Sequence, residues 1–276
     1  MTSSEINKII AENTNKQRRQ KRKYDPIRGT GSLIRKAKLY FNNTDYIKIP
    51  YKMAKHPFIT SILKHDTVES YCKKHRIAKK IAEYAILQLR IKYDFEFWCS
   101  TCVKIQDKQT KRITNLILRP PQLKLVKIIL EKLFNNEPIR IILLKARQWG
   151  GSTVIQMIMA WIQLFHRTNW HSVIVGDIED QARNIKSMYS RLAQNHPEEV
   201  QKMTLENFEG STKNKRLKER DNIIYIGSMQ KPEAIRSADV MMAHLSEVGF
   251  GSLLTGNAPK TLSNQLQALF PSNLIL

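Results

Sequence analysis

Apolar positions recur along this chain in two rhythms, and the rhythm changes near Val103. Between His75 and Tyr93, the residues Ile77, Ile81, Ala85 and Leu89 recur at helical spacing, with Lys79, Lys80, Arg90 and Lys92 between them. Residues 33–97 as a whole read as mostly helical. Residues 68–86 also admit two helices around a turn at 75–77, a helix-turn-helix pattern that any short amphipathic pair would share. Beyond Val103, short apolar runs alternate with helical ones. Residues 103–105 and 113–118 predict strands around a polar turn at 107–111, and 123–134 predict a helix. Residues 141–144 predict a strand buried on both faces, and 152–166 an apolar, buried helix. Further strands are predicted at 172–175, 223–227 and 240–245. A helix over 177–195 would bury Ala182, Ile185, Tyr189 and Leu192. Residues 196–221 read as charged and loop-rich, and a helix around 262–270 precedes a last apolar triplet at 274–276. This alternation predicts an α/β fold with a mostly parallel sheet covered by helices.

Charge divides the same chain differently. The net charge is +22. Residues 1–119 carry 27 Lys and Arg against 10 Asp and Glu, or +17, whereas residues 120–276 carry 19 against 14, or +5. Residues 1–32 therefore read as a basic arm, residues 33–97 as a helical region, and residues 98–276 as the α/β core. A basic excess of this size favours nucleic acid and salt-dependent binding; a solvated basic surface is the plainer reading. Three cysteines, an odd number, point to a reducing compartment. The sequence contains neither a membrane-length apolar run nor a secretory signal core, so a soluble protein is expected. Cys72 with His75, and Cys99 with Cys102, have metal-ligand spacing. Zinc would need all four to converge, and thiols with a surface histidine are the alternative.

The chemistry concentrates around residues 139–153, where an apolar run leads into a basic loop with two glycines and then an apolar helical pattern. Strand, glycine loop and helix is the context of a phosphate-binding loop. The usual spelling is Gly-x4-Gly-Lys-Ser/Thr. Here Gly150 and Ser152 fill the second-glycine and hydroxyl positions, Gly151 stands where lysine belongs, and Lys145 where the first glycine belongs. Hydrolysis of a nucleoside triphosphate needs a cradle, a cation, a magnesium ligand and a group that orients water. The candidates are the backbone around Gly150 and Gly151, Lys145 or Arg147, Ser152, and Glu247 after the strand predicted at 240–245. A glutamate at a strand end is otherwise a solvated charge.

Lys145, Ala146, Arg147, Gln148, Trp149, Gly150, Gly151, Ser152 and Thr153, followed by His244-Leu245-Ser246-Glu247-Val248, resemble the ATPase motor of the large terminase subunit of tailed bacteriophages. Those motors are additional-strand, catalytic-glutamate (ASCE-type) P-loop NTPases, and many place the loop lysine at its beginning. The resemblance implies that Lys145 is the displaced lysine, that Arg147 acts on the phosphates, and that residues 145–153 hold ATP. It also implies that Gln122, in Arg119-Pro120-Pro121-Gln122, reads the adenine and that Glu247 is catalytic. Mg2+ would sit on Ser152. The residue before the catalytic glutamate is commonly aspartate, and here it is Ser246, which can bond a metal-bound water but adds no charge.

The likeness covers roughly residues 95–276. It implies translocation of double-stranded DNA into a procapsid, by a homo-oligomeric ring that works with a portal protein and a small terminase subunit. The setting it implies is the cytoplasm of an infected bacterium, with no membrane. In the family, a Ser/Thr-rich coupling turn and a nuclease domain follow the catalytic glutamate. Thr255-Gly256-Asn257 comes too soon after Glu247 to be that turn, so a shortened chain lacking the nuclease is expected. Two rival readings stand beside this one. Another ASCE translocase or helicase would carry an ordinary loop lysine, and an inactive remnant would bind DNA without hydrolysing ATP.

Overall fold

The computed structural model describes residues 24–106, 111–144, 149–176, 178–229 and 239–246. The fold is mixed α/β and divides into two compact units, residues 1–101 with 115–127 and residues 102–114 with 128–276.

The first unit contains an antiparallel ribbon within residues 33–97, which the sequence suggested were mostly helical. Strand β1 (Lys36–Tyr40) pairs with β2 (Tyr46–Pro50). Alternation puts Ala37, Leu39, Ile47 and Ile49 on one face, where Leu39 and Ile49 are fully buried. The turn between the strands is closed by Asn42, whose Oδ1 accepts the amides of Thr44 and Asp45 at 2.9 and 2.7 Å. Helices α1 (Tyr51–Ala54), α2 (Pro57–Leu63), α3 (Val68–His75) and α4 (Lys79–Tyr93) cover the apolar face with Met53, Ile59, Ile62, Val68, Ala82 and Ile86.

The helix starts are written locally. Pro57 opens α2 while His56 Nδ1 accepts the Phe58 amide at 3.3 Å, and Thr67 Oγ1 caps α3 by accepting the Ser70 amide at 3.1 Å. The turn between α3 and α4 has no glycine, so Arg76 takes the left-handed conformation at φ 55°.

The two-helix reading of residues 68–86 is the one that folds, but the buried stripe of α4 differs from the expected one. Ile81 is 64% exposed, and Ala82, Ile86 and Arg90 point inward. Arg90 sits there because its guanidinium lies 3.5 Å from buried Asp94 and 3.9 Å from the centre of the Phe97 ring. Helix α5 (Phe95–Cys102) follows directly. All three cysteines are buried and none forms a disulfide. Among the described residues there is no group of three or more His, Cys, Asp or Glu side chains suited to a metal.

In the second unit, β5 (Ser172–Gly176), β8 (Asn222–Ser228) and β9 (Met242–Leu245) form a parallel trio with β5 in the middle. The strands of residues 172–176 and 222–228 are as expected: nearly continuous apolar runs, buried on both faces. The sheet is mixed rather than mostly parallel. Residues 196–221, read as loop, contain the hairpin β6 (Leu205–Phe208) and β7 (Ser211–Leu217), and β7 pairs antiparallel with β8. The short strands β3 (Lys104–Gln106) and β4 (Ile113–Asn115) also pair, as predicted. Helix α6 (Pro120–Phe134) spans the division between the units in sequence.

The strand expected at residues 141–144 is absent. The segment is irregular, and Ile142 and Leu144 are 97% and 96% exposed. A strand is made by pairing, and among the described residues no strand pairs with this apolar run. No helix among the described residues is long and apolar enough to cross a membrane. Residues 1–23, the expected helix at 262–270 and the triplet at 274–276 lie outside the described residues.

Two imidazoles, one buried and one half-buried, give the second unit a pH dependence. Burial pushes His196 and His171 below the usual histidine range, and His196 Nδ1–H donates to the Gln201 carbonyl at 3.0 Å. A lowered folded-state pKa means that protonation favours the unfolded chain. Their contribution is therefore present above about 6.5 and is lost as pH falls through the lower folded values. The urea midpoint is expected to drop between pH 7 and pH 5, and His196→Gln should flatten that slope. An unchanged slope in the variant would contradict the assignment.

Candidate nucleotide site

Helix α7 (Gly151–Trp161) continues into one π-helical turn (Ile162–His166). It is apolar nearly all round, with Val154, Met157, Ile158, Met159, Ala160 and Trp161 buried. Gly150 precedes it at φ 81°, a conformation that glycine adopts without strain, and no side chain caps the helix. The first amides of a helix have no intrahelical acceptor and carry the positive end of the macrodipole. No acidic residue lies in the first turn of the helix. Gly150→Ala is expected to cost about 1–2 kcal/mol of stability, since alanine must take a left-handed conformation. Unchanged unfolding of that variant would show that the turn does not need glycine.

Two buried polar anchors fix the direction of α7 against the sheet. Near its end, Gln163 donates through Nε2 to the Trp170 carbonyl at 2.7 Å and lies 3.3 Å from Ser172 Oγ, where β5 begins. Tyr189 Oη–H donates to Gln163 Oε1 at 2.9 Å, from helix α8 (Glu179–Asn195). Nearer its start, Gln156 Nε2 lies 2.6 Å from His244 Nδ1, on β9. Ser172 is opposite Met242 in the sheet, so the helix descends while the strands ascend.

The consequence is geometric. Ser152 lies four residues before Gln156, about 6 Å along the helix. Ser246 lies two residues beyond His244, about 7 Å along the strand. Both steps lead to the C-terminal ends of β5 and β9, so the structure brings residues 150–153 and Ser246 to the same end of the sheet. In open α/β sheets, that end is where ligands bind. Ser246 is buried, and its amide donates to the Val175 carbonyl at 2.8 Å.

Other expected residues are placed differently. Gln122 is buried in the first turn of α6, where its Oε1 accepts the Arg119 amide at 2.8 Å and so caps the helix start. Lys145, Ala146, Arg147, Gln148 and Glu247 lie outside the described residues, as does the Thr255–Asn257 turn. Trp149 immediately precedes Gly150. The pair Gln156–His244 escaped the sequence reading. Its signal was there, a lone amide within an otherwise apolar helix, and both side chains are buried.

No family model matches the sequence, and no curated protein matches it. The fold is similar to the crystal structure of the HK97 bacteriophage large terminase, with a TM-score of 0.49 and 15% sequence identity. The match covers 66% of this chain and 36% of that one, so this chain spans about a third of the length of that protein.

Proposed function

We propose that this chain is an ATP-hydrolysing motor component of the viral DNA-packaging type, the large-subunit terminase class. One observation supports this most: the glycine-led start of α7 and the end of β9 at Ser246 share one edge of a sheet with parallel strands. The basic segment that carries Lys145 and Arg147 directly precedes that helix start, and Glu247 directly follows Ser246. A triphosphate suits such a place. The amides of residues 150–153 hold phosphate oxygens, Lys145 and Arg147 neutralise the charge that develops during transfer, and Glu247 takes a proton from the attacking water.

The donor set also fits the magnesium ion that accompanies ATP. Ser152 offers a hydroxyl in the first turn of α7 that would hold the ion, and Ser246 one that would bond a metal-bound water. The ion supplies charge neutralisation between phosphates when bound. The work driven would be movement of double-stranded DNA, in keeping with the +22 charge, with a portal protein and a small terminase subunit as partners of an assembled ring in the infected cell. Titration with a fluorescent ATP analogue tests the site. Saturable binding that requires Mg2+, and that weakens at least about tenfold in Gly150→Val, is expected. Absence of binding, or equal binding by the variant, would refute it.

A further inference from the structure

The β1–β2 ribbon has two unlike faces. Leu39 and Ile49 enter the core of the first unit, with Ala37 and Ile47 packed beside them. The alternate positions set Lys38 opposite Lys48 and Tyr40 opposite Tyr46 on the other face. Lys36 shares that alternation, but its ammonium is buried against Asp94 and Glu96. What stays open is a small patch of two lysines and two tyrosines. Lys38 is exposed, with Nζ 5.0 Å from the Tyr46 ring centre, 5.9 Å from that of Tyr40, and 3.4 Å from Tyr40 Oη.

Like charges directly opposite each other on a ribbon work against its pairing. No carboxylate pairs with Lys38 or Lys48 among the described residues, and the Lys38 ammonium rests instead against the two tyrosines. The backbone at Lys48 is nevertheless held firmly. Its amide donates to the Arg28 carbonyl at 2.9 Å, and a Cβ on Gly29, at φ 71°, would collide with the Lys48 carbonyl. The ribbon thus presents two lysines at opposed positions of a held backbone, an arrangement that suits a polyanion.

We propose that this face of the ribbon docks on the sugar-phosphate backbone of double-stranded DNA. Ammonium groups and tyrosine hydroxyls donate to phosphate oxygens without reading bases. Lys38 already lies over both rings, which leaves less aromatic plane for the unstacked bases that single-strand binding uses. A duplex also presents about one charge per 1.7 Å, twice the density of one strand. The inference rests on the DNA-handling half of the proposed function and is independent of nucleotide hydrolysis.

The test uses the full chain and a short fluorescein-labelled duplex, with a single strand of the same sequence as the second arm. Fluorescence anisotropy is read across a salt series. The double variant Lys38→Gln/Lys48→Gln is compared with Lys73→Gln/Lys74→Gln, which removes the same charge from exposed positions on α3. The ribbon variant should bind duplex at least about tenfold more weakly and lower the slope of log K against log salt by about two. The α3 control should lose less than about threefold, and Lys38→Arg/Lys48→Arg should restore binding. Equal losses in both double variants would show bulk charge alone and overturn the proposal. So would ribbon-dependent binding of the single strand that is tighter than that of the duplex. If the wild type binds duplex through the ribbon but does not hydrolyse ATP, the motor reading fails and this one stands.

Discussion

Asp94→Ala is expected to lower the stability of the chain by about 3–5 kcal/mol, because it removes the carboxylate that two buried cations share. Lys36 Nζ lies 3.1 Å from both oxygens of Asp94 and 3.3 Å from Glu96 Oε2. Arg90 approaches the same aspartate at 3.5 Å and donates through Nη2 to the Pro26 carbonyl at 2.9 Å. The side chains of Lys36, Asp94, Glu96 and Arg90 are all nearly or fully buried. Glu96 cannot substitute for the missing partner. It already accepts from Ser32 Oγ at 2.8 Å, and burial pushes its carboxyl above the usual range despite the pull of Lys36.

The aspartate also caps α5: its Oδ1 accepts the Phe97 amide at 3.4 Å, a bond that the substitution removes as well. Asp94→Asn keeps most of the shape and should cost less. Urea unfolding followed by circular dichroism measures both. A loss below about 1 kcal/mol for Asp94→Ala would show that the cluster is no better than a surface ion pair.

Lys145→Ala is expected to reduce ATP turnover by about 10²–10³-fold, the usual effect of deleting one preorganised donor to developing charge. The argument depends on where the lysine enters. In the usual loop, lysine directly follows the second glycine, at the position of Gly151, and here that residue is the first of α7. Gly151 supplies no cation, and the proposal assigns that part to the basic segment before it in the sequence, which carries Lys145 and Arg147. If Lys145 acts on the terminal phosphates as proposed, Lys145→Ala should also weaken binding of ATP more than binding of ADP. Turnover within about threefold of wild type would move the role to Arg147 or remove it from the loop.

The parts of the fold that were legible are those whose burial is written in composition. Residues 172–176 and 222–228 are apolar almost without interruption, and they became strands buried on both faces. The ribbon at residues 36–50 was overlooked because its apolar residues alternate with lysines and tyrosines, a period-2 pattern hidden among basic residues. The hairpin at 205–217 was overlooked for a related reason. Only Leu217 of β7 is buried, so the strands bury little and their sequence reads as loop.

Residues 141–144 show the converse: their hydrophobicity reads as a strand, but a strand depends on a neighbour. In the candidate site, the glycine turn was legible from Gly150 and Gly151. The anchors that orient α7 were not, because Gln156, Gln163 and His244 reveal their roles only once the helix lies on the sheet.

The central claim is that the end of β9 and the start of α7 together hydrolyse ATP, and Glu247→Gln tests it most directly. Phosphate release by the full chain with Mg2+ and ATP, with and without duplex DNA, should be measured beside equilibrium binding of ATP. The expected result is that the variant binds ATP like the wild type while its phosphate release falls by about 10²-fold or more, in both the presence and absence of DNA. Phosphate release by Glu247→Gln at the wild-type rate, or a wild-type chain that does not bind ATP, would contradict the claim.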